Sequence, residues 1–198
     1  MKAVLISIQP KWCELIASGK KTIEVRKTRP KIETPFKCYI YCSKGKTFLY
    51  KNPNNGELFL DSNGGYRGGD YEDRFLTGKV IGEFVCDRVR LCIPFGLKGH
   101  LLSQEVYREM CLTKEQLDKY GGLKTLYGWH ITEPKLFDKP KELSDFSKYE
   151  YKYLGGCCVN NNCKNYIYNG YYQPPECKID GCFFKRPPQS WCYVKELL

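Results

Sequence analysis

The sequence predicts a mixed α+β domain: a closed or nearly closed β-barrel with short helices on its rim and a small cysteine-rich module inserted before the last strand. Three observations carry this. Many short strand-like runs alternate with only three helical ones, an order that suits a mixed barrel better than an open parallel sheet. The 198 residues are 42% hydrophobic and 15% aromatic, enough to bury one substantial core. Beyond residue 147 the chain turns to Tyr, Asn, Gly, Pro and Cys without an apolar period.

Along the chain, "AVLISI" is a short apolar run stopped by Pro10 and reads as a buried strand. Pro10 then opens a helix through Trp12, Leu15 and Ile16, because proline's missing N–H is harmless in the first turn, and Gly19 closes it. Residues 22–27 have a period of two, with Ile23 and Val25 on one face and Thr22, Glu24 and Arg26 on the other. "CYIYCS" is a further strand, and "KTFLYKNPNNGELFLDS" a hairpin turning at its Asn-Pro-Asn-Asn-Gly cluster. "SNGGYRGGDYEDR" is glycine-rich and aperiodic, a loop. "KVIGEFVCDRVRL" alternates as a long strand with Gly82 as its bulge. Two short helices follow at "SQEVYREM" and "TKEQLDKY", the second opened by a Thr113/Gln116 capping box and ended by Gly121. "TLYGWHIT" and "SWCYVKEL" are the last strands. The expected organisation is a barrel over residues 1–147, a cysteine-rich insertion over 148–188 and a closing strand over 189–198.

The formal charge is +10, and it is concentrated. Residues 1–51 hold twelve bases against Glu14, Glu24 and Glu33, so this quarter alone carries +9. A one-sided basic field favours polyanions and supplies counterion-release affinity for phosphates; the alternative is a solvated surface that keeps the chain soluble. The opening "MKAVLISIQP" is too short in its apolar part for a signal peptide, and no run approaches a membrane span. The expectation is a cytoplasmic protein with no membrane partner, whose twelve cysteines are thiols or metal ligands before they are disulfides.

The stretch "GKKTIEVRK" concentrates the chemistry. Cations flanking Glu24 on a strand face fix the carboxylate's charge while remaining able to meet phosphate. Glu24 could accept from a base's amino group, act as a general base, or form a structural ion pair with Arg26 or Lys21. Trp12 suits base stacking and core packing equally.

"SIQPKWCELIASGKKTIEVR" resembles the signature of the ASCH family of the PUA-like superfamily: a strand, a Gln-Pro opening a helix, and G-x-K-x-x-E-x-R, here Gly19, Lys21, Glu24 and Arg26. "YIYCSKG", "GKVIGEF" and "YGWHI" echo later strands of that family. The resemblance, to a bacterial or phage type carrying a C-terminal cysteine-rich insertion, implies a PUA-like mixed β-barrel with a cleft beside the first helix. It implies RNA or nucleotide partners, with Gln9, Trp12, Lys20, Lys21, Thr22, Glu24, Arg26, Lys27, Arg29 and Ser43 as binding residues. It also implies an alternative, a hydrolase of the same fold (a ribonuclease or an N4-acylcytidine amidohydrolase) with Lys21 and Glu24 as catalytic residues. The acetylcytidine amidohydrolases carry a threonine where this chain has Glu24, and Thr22 is no obvious substitute.

Cys158, Cys163, Cys177 and Cys182 are spaced C-x4-C-x13-C-x4-C, with Cys157 beside the first. Two symmetric knuckles suit tetrahedral zinc, which would supply folding energy that an apolar core cannot; free thiols or disulfides are the alternatives. The other cysteines, Cys13, Cys38, Cys42, Cys86, Cys92, Cys111 and Cys192, lie in apolar patterns and read as small core residues. His100 and His130 stand in no nucleophile motif, which argues against Ser-His-Asp or Cys-His chemistry. A partner-binding adaptor in which the cysteine module does the recognition is the third class.

Overall fold

The computed structural model describes residues 1–62, 74–93, 96, 102–147, 153–154, 157–158, 166–171, 173, 176–177, 184 and 186–197. The chain runs β1 (Lys2–Ile8), α1 (Pro10–Ala17), β2 (Ile23–Arg26), β3 (Phe36–Cys42), β4 (Phe48–Lys51), β5 (Leu58–Asp61), β6 (Val80–Ile93), α2 (Gln104–Met110), α3 (Lys114–Gly121) and β7 (Leu126–Lys141). Four two-residue strands follow, β8 (Tyr153–Leu154), β9 (Cys157–Cys158), β10 (Tyr166–Ile167) and β11 (Glu176–Cys177), before β12 (Trp191–Lys195).

Six strands form one sheet in the order β12-β1-β3-β6-β7-β2. Only β1 and β3 pair in parallel, joined by a crossover through α1 and β2; β12 returns antiparallel to β1. The unbroken apolar run of β1 follows from its central place, since both of its faces are covered. Val4, Ile6 and Ile8 join the main core with Cys13, Ile16, Phe84 and Trp129, while Ala3 and Leu5 pack with Tyr39, Phe146 and Val194. A third cluster seats α2 and α3 on β2 and β7 through Val25, Met110, Leu117 and Leu126.

In a flat sheet the outer two of six strands would stand about 24 Å apart. Here Trp191 Nε1 donates to Thr28 Oγ1 at 3.0 Å, and the Lys31 amide donates to Tyr193 Oη at 2.6 Å. The sheet therefore curls until β2 faces β12 and β1. No ladder joins β2 to β12 among the described residues, so the expected barrel takes the form of a curled sheet whose seam is bridged by side chains.

Gly82 lies at the expected bulge, where the β3–β6 register shifts between Ile40 and Tyr41. A Cβ there would collide with the Lys135 carbonyl oxygen and come 3.0 Å from Leu136 Cα. The Thr113/Gln116 capping box forms, with Thr113 Oγ1 accepting from the Gln116 amide at 3.2 Å and Gln116 Oε1 accepting from the Thr113 amide at 3.0 Å. The helix extends through Gly121, and Gly122, at φ 60°, makes the turn. β7 runs well past Thr132, where prolines made the sequence look irregular. A bulge at Glu133 (φ 51°) lets pairing resume at Lys135.

Of the seven cysteines expected in the core, Cys13, Cys38, Cys42 and Cys86 are buried, whereas Cys92, Cys111 and Cys192 are only half-buried. Cys111 caps α2 in a left-handed conformation, its thiol near the Lys20 and Arg108 carbonyls. In the cysteine-rich region β8 pairs with β9 and β10 with β11. Every Cα of β9 lies within 8 Å of every Cα of β11, those of Cys158 and Cys177 included. Cys163 and Cys182 lie outside the described residues, as do His100 and most of the glycine-rich loop. No described helix is long and apolar enough to cross a membrane.

Candidate functional site

The seam between β2 and the β1/β12 edge opens into a cleft of about 1330 Å³. Local sequence delivers its floor. Pro10 starts α1 without any side-chain cap from Gln9, whose amide group is left to line the cleft. Gly19 reverses the chain at φ 72°, a left-handed conformation in which a side chain would be strained. The Lys21 amide then donates back to the Leu15 carbonyl at 2.9 Å, which fixes the backbone just before β2. β2 follows, antiparallel to β7, with Glu24 opposite Trp129 and Arg26 opposite Tyr127.

Three ionisable side chains are buried together there, those of Lys21, Glu24 and Arg26, at 2%, 8% and 10% exposure. Glu24 Oε1 lies 3.0 Å from Arg26 Nη2, and Oε2 lies 3.5 Å from Lys21 Nζ. Lys21 Nζ also donates to the Met110 carbonyl at 2.6 Å and stands 5.1 Å from the centroid of the Trp12 ring. Arg26 Nη2 donates to the Ser7 carbonyl at 2.6 Å, and Nη1 donates to Ser190 Oγ at 3.4 Å. One guanidinium thus ties β2 to β1 and to the residue before β12.

The triad carries two positive charges against one negative. Burial pulls the Lys21 pKa below the usual lysine range, and the neighbouring Glu24 carboxylate offsets part of that fall. Arg26, which lines the cleft, has a buried donor, Nε, with no hydrogen-bond partner among the described residues; Trp129 Nε1 is another such donor, but Trp129 sits in the core and does not line the cleft. An unsatisfied donor beside a net positive charge favours an anionic or carbonyl-rich occupant.

The rest of the wall reinforces that sign. Lys27, Lys44 and Lys124 join Lys21 and Arg26 around the cleft, and Glu24 is the one carboxylate among the described residues that line it. Trp12, Tyr41 and Tyr120 supply aromatic surface, with Lys27 Nζ held 4.8 Å over the Tyr120 ring. Cys13 packs behind this wall, where burial raises its thiol pKa well above the ordinary value; it stays protonated and is no nucleophile. His130 pairs with Asp87 at 2.7 Å and is not among the residues that line the cleft.

Of the residues named from sequence, Gln9, Trp12, Lys21, Glu24, Arg26, Lys27 and Ser43 line this cleft. Three do not. Lys20 is exposed on the turn before β2. Thr22 precedes β2 rather than sharing its polar face, its main chain bonded to the Glu109 carbonyl and the Ile131 amide. Arg29 lines a separate groove beyond Thr28. Trp12 is half-buried, packing on the core while lining the cleft. Sequence reasoning missed Lys44, Tyr41, Gln116, Tyr120, Lys124 and the Pro187–Pro188–Gln189–Ser190 segment. Lys44 had a legible signal, its place in the basic quarter next to Ser43. The others arrive from elements distant in sequence.

A family model described as the ASCH domain matches residues 6–141, more than two thirds of the chain. Among solved structures, an ASCH protein from Zymomonas mobilis superposes with a TM-score of 0.54 at 16% identity, over 98% of this chain and 88% of that one. A serine-to-alanine point mutant of the Zymomonas mobilis protein superposes with a TM-score of 0.53 at 15% identity, over 98% and 89%. At these identities the likeness shows the fold alone. None of the curated proteins matches the chain.

Proposed function

We propose that this chain, which belongs to the ASCH domain family, binds RNA or a nucleotide in the cleft between β2 and the β1/β12 edge. The observation that carries the reading is the charge of the lining, five cations around a single carboxylate that two of them hold in place. Lys27, Lys44 and Lys124 meet phosphate, a base stacks on Trp12 in place of the exposed Lys11, whose Nζ lies 4.9 Å from the centroid of that ring, and Glu24 accepts from an exocyclic amino group. Gln9 and Ser43 add neutral donors and acceptors beside it.

One observation favours a second reading, a hydrolase of the same fold using Lys21 and Glu24. A buried lysine with a lowered pKa beside a carboxylate is the environment in which a lysine becomes a usable base. Against it, Lys21 Nζ already donates to the Met110 carbonyl, and each Glu24 oxygen faces a cation. In these contacts Lys21 is a donor with no lone pair to take a proton, whereas each Glu24 oxygen keeps a second lone pair with which to accept a hydrogen bond. Binding and turnover measured side by side separate the two, with RNA and N4-acylated cytidine as substrates. For a binder, Glu24→Gln weakens RNA affinity by about 1–3 kcal/mol and relaxes base preference, and no wild-type turnover is seen. Wild-type turnover abolished in both Glu24→Gln and Lys21→Ala would overturn the binding reading.

A further inference from the structure

We infer that the nucleic-acid path continues out of the cleft across Thr28 into a second groove on the 29–34 loop, so that the protein takes a single strand several nucleotides long rather than one nucleotide. This rests on the cleft being a nucleic-acid site. The groove, about 630 Å³, is lined by Arg29, Lys31, Glu33, Ile32 and Val89 among others. The two are neighbours along the chain: Lys27 and Thr28 line the cleft, and Arg29, the next residue, lines the groove. Its chemistry repeats the pattern a strand needs. Arg29 and Lys31 are exposed cations at its rim, and the half-buried Ile32 and Val89 form an apolar floor on which a base can lie.

The loop is held in advance of binding. Its backbone is fixed to β12 by the Lys31 amide bond to Tyr193 Oη at 2.6 Å, and Thr28 accepts from Trp191 Nε1 at 3.0 Å. Lys2 adds a further cation nearby, its Nζ 3.7 Å over the Tyr193 ring. From Lys27 to Lys31 the chain spans at most roughly 14 Å, room for up to about four stacked nucleotides at ~3.4 Å each. Glu33 is the one carboxylate among the described residues that line the groove, and a phosphate is disfavoured beside it.

The test is fluorescence anisotropy with oligouridylates of two and eight residues and with a blunt eight-base-pair RNA duplex, on the wild-type chain and on the Arg29→Ala/Lys31→Ala variant. The octamer is expected to bind at least tenfold tighter than the dimer. The double variant should lose that gain, lower the salt slope for the octamer by about 1.4 (two phosphates at ~0.7 each) and leave dimer affinity unchanged. Arg29→Glu/Lys31→Glu should weaken the octamer further at an unchanged melting temperature. Equal affinity for dimer and octamer, a length gain that survives both variants, or a duplex bound as tightly as the single strand would overturn the inference while leaving the cleft reading intact. Failure of either oligomer to bind at low salt would overturn both.

Discussion

Replacing Glu24 by glutamine tests whether the Lys21–Glu24–Arg26 cluster is the dry, net-positive floor described above. Glutamine keeps the shape but has one carbonyl oxygen where the carboxylate has two. It can accept from Arg26 or face Lys21, and its amide NH2 then points at the other cation. Removing one partner of a buried pair costs about 3–5 kcal/mol. The exposure of these side chains, 2% for Lys21 and 8% for Glu24, leaves little solvent to screen the loss. Both cations keep a backbone acceptor, Met110 O and Ser7 O, so the lower part of that range, about 3 kcal/mol, is expected. For a chain of this length that is a fall in Tm of roughly 6–12 °C. Urea unfolding should show a lower midpoint at an unchanged slope.

The pH dependence carries a sign of its own. Burial lowers the folded pKa of Lys21 below its unfolded value near ~10.4. Below the folded pKa the lysine is charged in both states and its burial penalty is present in full; above it the folded state has released the proton and that penalty is relieved. Losing the Glu24 charge lowers the folded pKa further, so relief begins at lower pH in the variant. The deficit of Glu24→Gln against wild type should therefore shrink as pH rises from 7 towards 10. A loss below about 1 kcal/mol, or a deficit that is flat across that range, would refute the picture of a desolvated triad.

Three further outcomes are expected. Arg26→Lys keeps the charge but loses the fork that reaches Ser7, Ser190 and Glu24 together; it should cost about 1.5–3 kcal/mol and speed amide exchange along β12, whereas unchanged exchange would show the seam is held otherwise. Gly82→Ala places a methyl group against the Lys135 carbonyl and should cost about 1–3 kcal/mol, read as a shift in urea midpoint; no shift would mean β7 yields freely there. In the cysteine-rich region, elemental analysis of reduced protein should find about one zinc per chain, held by Cys158, Cys163, Cys177 and Cys182 with sulfurs at ~2.3 Å; a metal-free reduced preparation would speak for free thiols.

The parts of the fold legible in the sequence were those set by short-range chemistry. Pro10 and Gly19 bracket α1, Thr113 with Gln116 opens α3, and Gly82 marks the bulge, because each acts within a few residues of itself. β7 was under-read because Pro134 and Pro140 look like breakers. Their tolerance depends on a bulge at Glu133 and on β6 supplying a partner, both tertiary facts. At the site, the motif residues Lys21, Glu24 and Arg26 were legible as a group; period-two reasoning grouped Thr22 with them, and Thr22 lies one residue before the strand and outside the cleft lining. Arg26 illustrates what stayed hidden. Its partners Ser7 and Ser190 are 19 and 164 positions away, and only the curl of the sheet brings them together. The same holds for Tyr120 and Lys124, delivered by the packing of α3 on β2.

The salt dependence of RNA binding by the cleft tests the central claim most directly, using a short single-stranded RNA, the wild-type chain and a Lys27→Ala/Lys44→Ala/Lys124→Ala variant. These three lysines line the cleft and stand outside the Lys21–Glu24–Arg26 triad, so their removal reads electrostatics without breaking the buried cluster. Wild-type affinity should be measurable at low salt and fall linearly on a log-log plot, with a slope shallower by about 2 in the variant, ~0.7 for each phosphate no longer neutralised. A wild-type chain that binds no RNA at low salt, or a variant with an unchanged slope, would contradict that claim.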